Sequence, residues 1–557
     1  MLSTGRLALL TFVLLGQTAL AGEHGKPQSL IMHTAHAPPV SLAPHATRLT
    51  AGAKTYGGTP IDVLGYHYDN NRTGWNQNET DLTPATVASS NFGLLQTLAV
   101  DGNVFAQPLL VSNYLMPDHS MHDVLIVATG HDSVYAFDAQ SYALLWQVSL
   151  GTSQSTADVG CGDVHPEYGI SSTPVIVRKG KKATIYVVAA TEPSHLNFQT
   201  ELHALDLGTG TDIIPPASIA PSATLSNGSS IAFDPQNQWN RASLAFDKDS
   251  IYIGIGSHCD RNASNITGWL LRYNTKLNLE SAFHTIETPA GGGTELASIW
   301  MTGFAPAINA SGHVFAVTGN GDFTGKGKDW GESVLALPAS LGGTPDRFTA
   351  ASYNNLNGND NDFGSGGVML LPAISGQTAP PLAVAMGKDA TLYLLNQTKL
   401  GGEKAGDKGA LQAQRIGSSG GGVWGGPAFY DSPSAGPLVY YQINGDVLRS
   451  YAVASGAAPA LTQFATGTTA AGYGGSLPIV SSNGATPGTG IVWLIRRTEP
   501  ISVEAYGADA LGAPIFTASV GNWSNPGQGN AFLTPMQANG RLYLPAYKAV
   551  SVFGLTQ

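Results

Sequence analysis

"VLIVATGHDSVYAFDAQSYALLWQVSLG", residues Val124 to Gly151, carries three apolar runs and spends almost no chain on turns. Val124 to Thr129 is apolar and β-branched, and Gly130, His131, Asp132 and Ser133 form the tight polar corner a hairpin needs before a second run, Val134 to Asp138. A third run follows from Ala143 to Leu150. The pattern predicts an antiparallel meander. Alone it would expose its edges and could not bury both faces, so the physics asks for more copies.

Copies recur along the chain, each an apolar strand, a short polar or Gly-containing corner and a second strand. They begin "TIYVVAATEP" (Thr184), "SIYIGIGSHCD" (Ser250), "HVFAVTGNGD" (His313), "PLAVAMGKDATLYLLN" (Pro381), "LVYYQINGDVLRSYAV" (Leu438), "GIVWLIRRTEPISVEAYG" (Gly490) and "RLYLPAYKAVSVFGLT" (Arg541). With the quoted stretch this makes eight units, spaced by roughly 50 to 70 residues, room for four strands and long loops. The expectation is an all-β, eight-bladed β-propeller over residues 61–557. The last unit supplies only two clear strands, so its blade must borrow from the region of Phe92 to Val100.

The composition narrows the partners. Charged residues are 12% of the 557, and the net charge is −11. Such a chain is short of the Lys and Arg that neutralise a phosphate backbone, which speaks against nucleic acid. The N-terminus, "MLSTGRLALLTFVLLGQTALAG", has one Arg, an apolar run from Leu7 to Leu15 and a small-residue end at Ala19 to Ala21, which reads as a cleaved signal peptide over residues 1–21. Residues 22–60, rich in His, Pro, Ala and Thr without periodicity, read as a flexible leader. The expected location is secreted or periplasmic. No later stretch approaches the 18 or so apolar residues of a transmembrane segment. Two cysteines occur, Cys161 and Cys259; a disulfide between them and two separate thiols are both open.

Strand order says where function should lie. With strands A to D running outward from the axis, the B–C corners and the D–A connections emerge on one face. The corners bring His131, Glu192, Ser257 to Asp260, Asn320 and Lys388, and the connections bring "CGDVHPEYGISSTP" (Cys161), "NGNDNDFGSGG" (Asn357) and "GSSGGGVWGGP" (Gly417) to that end. These loops are long, polar and rich in Gly, as binding loops on a rigid scaffold are.

"VYAFDAQSYALLW" and "LHALDLGTG" resemble the repeat of the quinoprotein alcohol dehydrogenases, and "YHYDNNRTGWNQNETDLTPATVASSNFGLL" (Tyr66 to Leu95) is similar to the segment that opens their propeller. The resemblance implies a pyrroloquinoline quinone (PQQ) and a Ca2+ near the axis, the metal held by a Glu, an Asn and an Asp. Carried over by position, it assigns Glu192 as a metal ligand and cofactor contact, Asp362 as metal ligand and base with Asp360 beside it, and Lys388 as a cofactor contact. Ser257 stands where the family has its Asn ligand, and no adjacent cysteine pair is present. Trp424, in a Gly-rich connection, is expected to line the cofactor funnel, with Trp523 a second candidate.

Calcium takes oxygen ligands and acts as a Lewis acid, and a carboxylate beside it can take a hydroxyl proton. There is no Walker loop, H-E-x-x-H or C-x-x-C-H. Two readings follow: a PQQ-dependent dehydrogenase oxidising a small alcohol or sugar, and a non-catalytic propeller that binds or scaffolds an envelope or extracellular ligand.

Overall fold

The quoted stretch folds as the outer three strands of a four-stranded antiparallel blade. Leu109–Leu115 comes first, then Met121–Ala128, Ser133–Asp138 and Leu144–Ser149, paired in that order. Thr129 N donates to Ser133 O at 2.9 Å across the corner, where Asp132 has φ 55°, a left-handed conformation that a turn Asp tolerates. Ser133–Asp138 is buried throughout, whereas Leu144–Ser149 is half exposed. That contrast explains why the middle run reads as continuously apolar and the last one alternates.

The structure is a computed structural model that describes residues 52–557 apart from 261–264, 289–295, 326–327, 419 and 526–531. The blade recurs to make the expected all-β propeller of eight blades. Their innermost strands, in order, are Leu109–Leu115, Val175–Lys179, Ala245–Asp247, Ala307–Ile308, Val368–Leu370, Ala428–Ser432, Ile479–Ser481 and Met536–Ala538. Blade 8 is closed across the chain ends. Arg541–Leu555 pairs with Met536–Ala538 on one side and with Phe92–Asn103 on the other, in a register that sets Phe92 opposite Leu555 and Ala99 opposite Ala549.

Residues 61–79 do what no repeat does: they visit every blade in turn along the axis. Val63 exchanges backbone bonds with Leu110 at 2.8 and 3.0 Å, Leu64 O accepts from Ile176 N at 2.8 Å, and Asn70 Nδ2 donates to Phe246 O at 3.0 Å. Asn70 O, Asn71 O, Thr73 O and Gly74 O then accept from Ile308, Leu370, Phe429 and Val480 at 2.7 to 2.9 Å. Asn76 Nδ2 reaches Gln537 Oε1 of blade 8 at 2.7 Å. Since each innermost strand would otherwise bury unpaired backbone groups at the axis, this segment satisfies them one blade after another.

Arg72 anchors the segment. Its Nε donates to Pro306 O at 2.9 Å, and its Nη1 donates to Tyr66 O and Asp69 O at 3.1 and 2.9 Å. Burial lowers its pKa to about 10, so the guanidinium stays charged at neutral pH. Arg72→Ala takes the side-chain donor from three carbonyls and orphans two of them, Pro306 O and Tyr66 O, since Asp69 O keeps the backbone N of residue 72 at 3.2 Å; equilibrium urea unfolding should show a loss of about 3 to 5 kcal/mol. A loss under 1 kcal/mol would mean that the segment is not an anchor.

The stretch read as a signal peptide lies outside the described residues, as does most of the stretch read as a leader. The leader's described end is paired: Ala53 bridges Thr556, and Lys54 N donates to Leu555 O at 2.8 Å. Paired chain therefore begins before residue 61. Among the described residues no helix is long and apolar enough to cross a membrane.

Candidate functional site

Three B–C corners and one D–A connection meet at one end of the axis. Blade 5 contributes Lys388, between Leu382–Ala385 and Thr391–Asn396. The connection entering blade 5 contributes Asp360 and Asp362, ahead of the short turn Phe363–Ser365. Asn320 follows Val314–Val317 in blade 4, and Asp260 follows Ser250–Ser257 in blade 3.

Lys388 Nζ lies 2.5 Å from Asp362 Oδ2 and 3.0 Å from Asp360 Oδ1. Asn320 joins the carboxylates: its N donates to Asp362 Oδ1 at 2.8 Å, and its Nδ2 donates to Asp360 Oδ1 at 2.8 Å and Asp260 Oδ2 at 3.2 Å. Ser257 Oγ donates to the other Asp260 oxygen at 2.6 Å. Gly319 permits the approach, because a Cβ there would stand 2.3 Å from Asp362 Oδ1.

Charge is unbalanced in this group. Burial pushes the Asp362 carboxyl up, but Lys388 and the Asn320 N–H outweigh it and hold the group below the usual carboxylate range. Burial and the Asp362 charge push Asp360 up to about 6, and the same two causes raise Asp260. Lys388 is raised: burial opposes its charge, and the two carboxylates overcome that. Behind the group, Glu332 is fully buried, its Oε2 accepts from Phe363 N at 2.7 Å, and desolvation raises it well above the usual range.

A hard cation fits this set. Asp260, Asp360 and Asp362 each place a carboxylate oxygen within 4.8 Å of the others. Three carboxylates face one ammonium, and two of them hold their protons more tightly than usual. Asn320 Oδ1 is buried without a hydrogen-bond partner, and a half-turn of the amide would exchange its Nδ2 for an oxygen facing the same carboxylates. An oxygen-only set of this kind suits Ca2+ or a similar ion.

Flat faces surround the cations. Lys388 Nζ is 5.5 Å from the Trp300 ring centroid and 5.9 Å from that of Trp424, while the Arg241 guanidinium lies 4.5 Å from Trp300 and 5.3 Å from Trp239. Two cations among buried indoles make a place for a planar anion.

No sequence-family profile matches the chain, and no curated protein sequence matches it. Solved structures do. A quinohemoprotein alcohol dehydrogenase from Comamonas testosteroni superposes with a TM-score of 0.56 at 13% identity, over 88% of this chain and 80% of that one. A europium-containing methanol dehydrogenase gives 0.54 at 14% identity, over 89% and 91%. A Pseudomonas putida HK5 quinohemoprotein alcohol dehydrogenase gives 0.54 at 13%, over 89% and 80%. The chain has the quinoprotein alcohol dehydrogenase-like fold. At these identities the likeness establishes the fold and not the activity.

On this quinoprotein-like propeller, Asp360, Asp362 and Lys388 come together as the sequence led us to expect, and Trp424 stands over Lys388. Glu192 does not join them. Its carboxylate accepts from Ser155 N at 3.1 Å and Leu196 N at 2.7 Å, in a group with Asp158 and His195. The reason is local: Glu192 sits on the long strand Lys182–Ser194, and its acceptors are used by the backbone of the neighbouring hairpins. The amide of the site is Asn320 of blade 4, and Ser257 supports Asp260 instead. Trp523 packs edge-to-face on Phe105 with centroids 5.7 Å apart and is 3% exposed, an interblade contact. Cys161 and Cys259 are bonded to each other, their Cα atoms 5.8 Å apart.

Four residues of the group escaped sequence reasoning as members: Asp260, Asn320, Trp300 and Arg241. The corner rule brought the first two to this end of the axis but gave them no role in the group. Nothing in the sequence marks the other two.

Proposed function

We propose that this end of the propeller binds PQQ with Ca2+ or a similar hard cation and oxidises the hydroxyl of a small alcohol or sugar. The observation that carries the reading is the meeting of three carboxylates, Asn320 and Lys388 between Trp300 and Trp424. PQQ, when bound, supplies the acceptor for the two electrons that leave the carbinol carbon. The remaining work belongs to the chain. Asp260, Asp360, Asp362 and Asn320 would hold the cation, and Lys388 and Arg241 would face the cofactor's carboxylates.

Asp362 would take the hydroxyl proton. Lys388 keeps it ionised, and because Lys388 also contacts Asp360, protonating Asp362 does not strand the ammonium. The indoles of Trp300 and Trp424, 6% and 5% exposed, keep bulk water from the reacting atoms. The apolar N-terminal run and the disulfide support export to an oxidising compartment.

Thermal unfolding tests the reading. With PQQ and Ca2+ both at about a hundredfold excess over their dissociation constants, linkage adds about 2.7 kcal/mol per site and should raise the Tm by several degrees. A Tm unmoved by both ligands would rule out the dehydrogenase and leave a propeller that binds some other envelope or extracellular ligand.

A further inference from the structure

Between blades 1 and 2 the chain leaves the repeat. Residues 152–170 form a strap with its own short pairing of Gln154–Ser155 to Glu167–Tyr168 and a single helical turn, Thr156–Val159. The strap is fastened on two sides. His165 N donates to Asn525 Oδ1 at 2.8 Å, and its carbonyl accepts from Asn103 Nδ2 at 2.6 Å. On the other side Cys161 is bonded to Cys259, and Asp163 Oδ2 accepts from Cys259 N at 3.3 Å.

Cys259 is the residue before Asp260, and both have left-handed backbones, φ 51° and 48°. For residues other than Gly this conformation costs about 1 to 2 kcal/mol each, so two in succession persist only where the surroundings hold them. The disulfide and the Asp163 contact hold this corner at Cys259, while His258 N on Asn237 O at 2.9 Å and Ser257 Oγ on Asp260 at 2.6 Å hold its two sides. The corner in turn aims Asp260 at Asn320, a residue 6% exposed whose Oδ1 is buried and unpartnered.

We propose that the Cys161–Cys259 disulfide sets the affinity of the site for its cation, by keeping Asp260 among the ligands. The inference rests on the cation reading above. Reduction by a dithiol moves two electrons and two protons to the protein sulfurs, closes the reagent as a cyclic disulfide, and leaves two cysteine thiols. The corner then relaxes from its left-handed conformation, and one of three carboxylates leaves the set. Cys259 is exposed, so a small dithiol can reach the bond.

Calorimetric titration of the full chain with Ca2+, in excess PQQ, tests this without any turnover. Reduced protein should bind Ca2+ at least about tenfold more weakly than oxidised protein, and reoxidation should restore the affinity. Asp260→Asn with the disulfide intact should be weakened to a similar degree. Equal affinity in the two redox states, or an Asp260→Asn variant that binds as tightly as the parent, overturns the inference and leaves the cation site standing. If reduction unfolds the chain, the Asp260→Asn titration alone decides. Oxidised, unmodified protein that takes up no Ca2+ removes the cation reading and this inference together.

Discussion

Asp362→Asn is expected to lower turnover of an alcohol or sugar by about 10²- to 10⁴-fold, the usual span for loss of a general base. The substitution keeps size and the acceptor for Asn320 N, and Lys388 retains Asp360 at 3.0 Å, so the fold should survive. Quinone absorbance after reconstitution should persist, since only one of several cofactor and cation contacts is altered. Lys388→Ala gives the opposite pattern. It leaves the Asp362 carboxylate buried without its cation, which destabilises by about 3 to 5 kcal/mol, and it removes a charge facing the cofactor, so binding weakens. Steady-state kinetics with an artificial electron acceptor, beside the absorbance of bound quinone, separate the two cases. If Asp362→Asn turns over like the parent, Asp362 is not the base.

The propeller was legible because its information is local and repeated. An apolar run, a polar corner and a second run define one blade, and eight such units leave few alternatives to a closed ring. Half of the candidate site was legible for a similar reason. Asp360, Asp362 and Lys388 are close in sequence, on one blade and the connection entering it. Glu192 was misplaced because a position in blade 2 had to be extrapolated across two blades, and the length of the Lys182–Ser194 strand sends it to other partners. Arg241 and Trp300 precede innermost strands of different blades, and their stacking depends on how the blades splay around the axis, which no single stretch encodes. The circuit of residues 61–79 is equally non-local. Its bonds are mostly to carbonyl oxygens of its own backbone, which carry no residue signature.

Removing Arg541 to Gln557 should abolish cooperative unfolding altogether. Among the described residues Arg541–Leu555 is the longest strand and the one that pairs with both Met536–Ala538 and Phe92–Asn103, so its loss opens the circle at blade 8. Phe92, stacked edge-to-face on Phe516 with centroids 4.8 Å apart and tilted against Phe553 at 6.3 Å, loses one of its aromatic neighbours. The chain leading into the axial segment loses support too, since Lys54 N is bonded to Leu555 O, and the segment's end is held beside the cut, where Glu79 Oε2 accepts from Gly540 N. Tyr543, Leu544, Val550, Val552 and Phe553 are all buried, and burial of five such side chains contributes about 7 to 15 kcal/mol. That sum reaches the whole net stability of an ordinary domain, so the truncated chain has no margin left. Calorimetry should show no two-state endotherm, and limited proteolysis should cut within blades 7 and 8 first. A truncated protein that melts in one transition at the parent's Tm would show that closure through the chain ends does not hold the ring together.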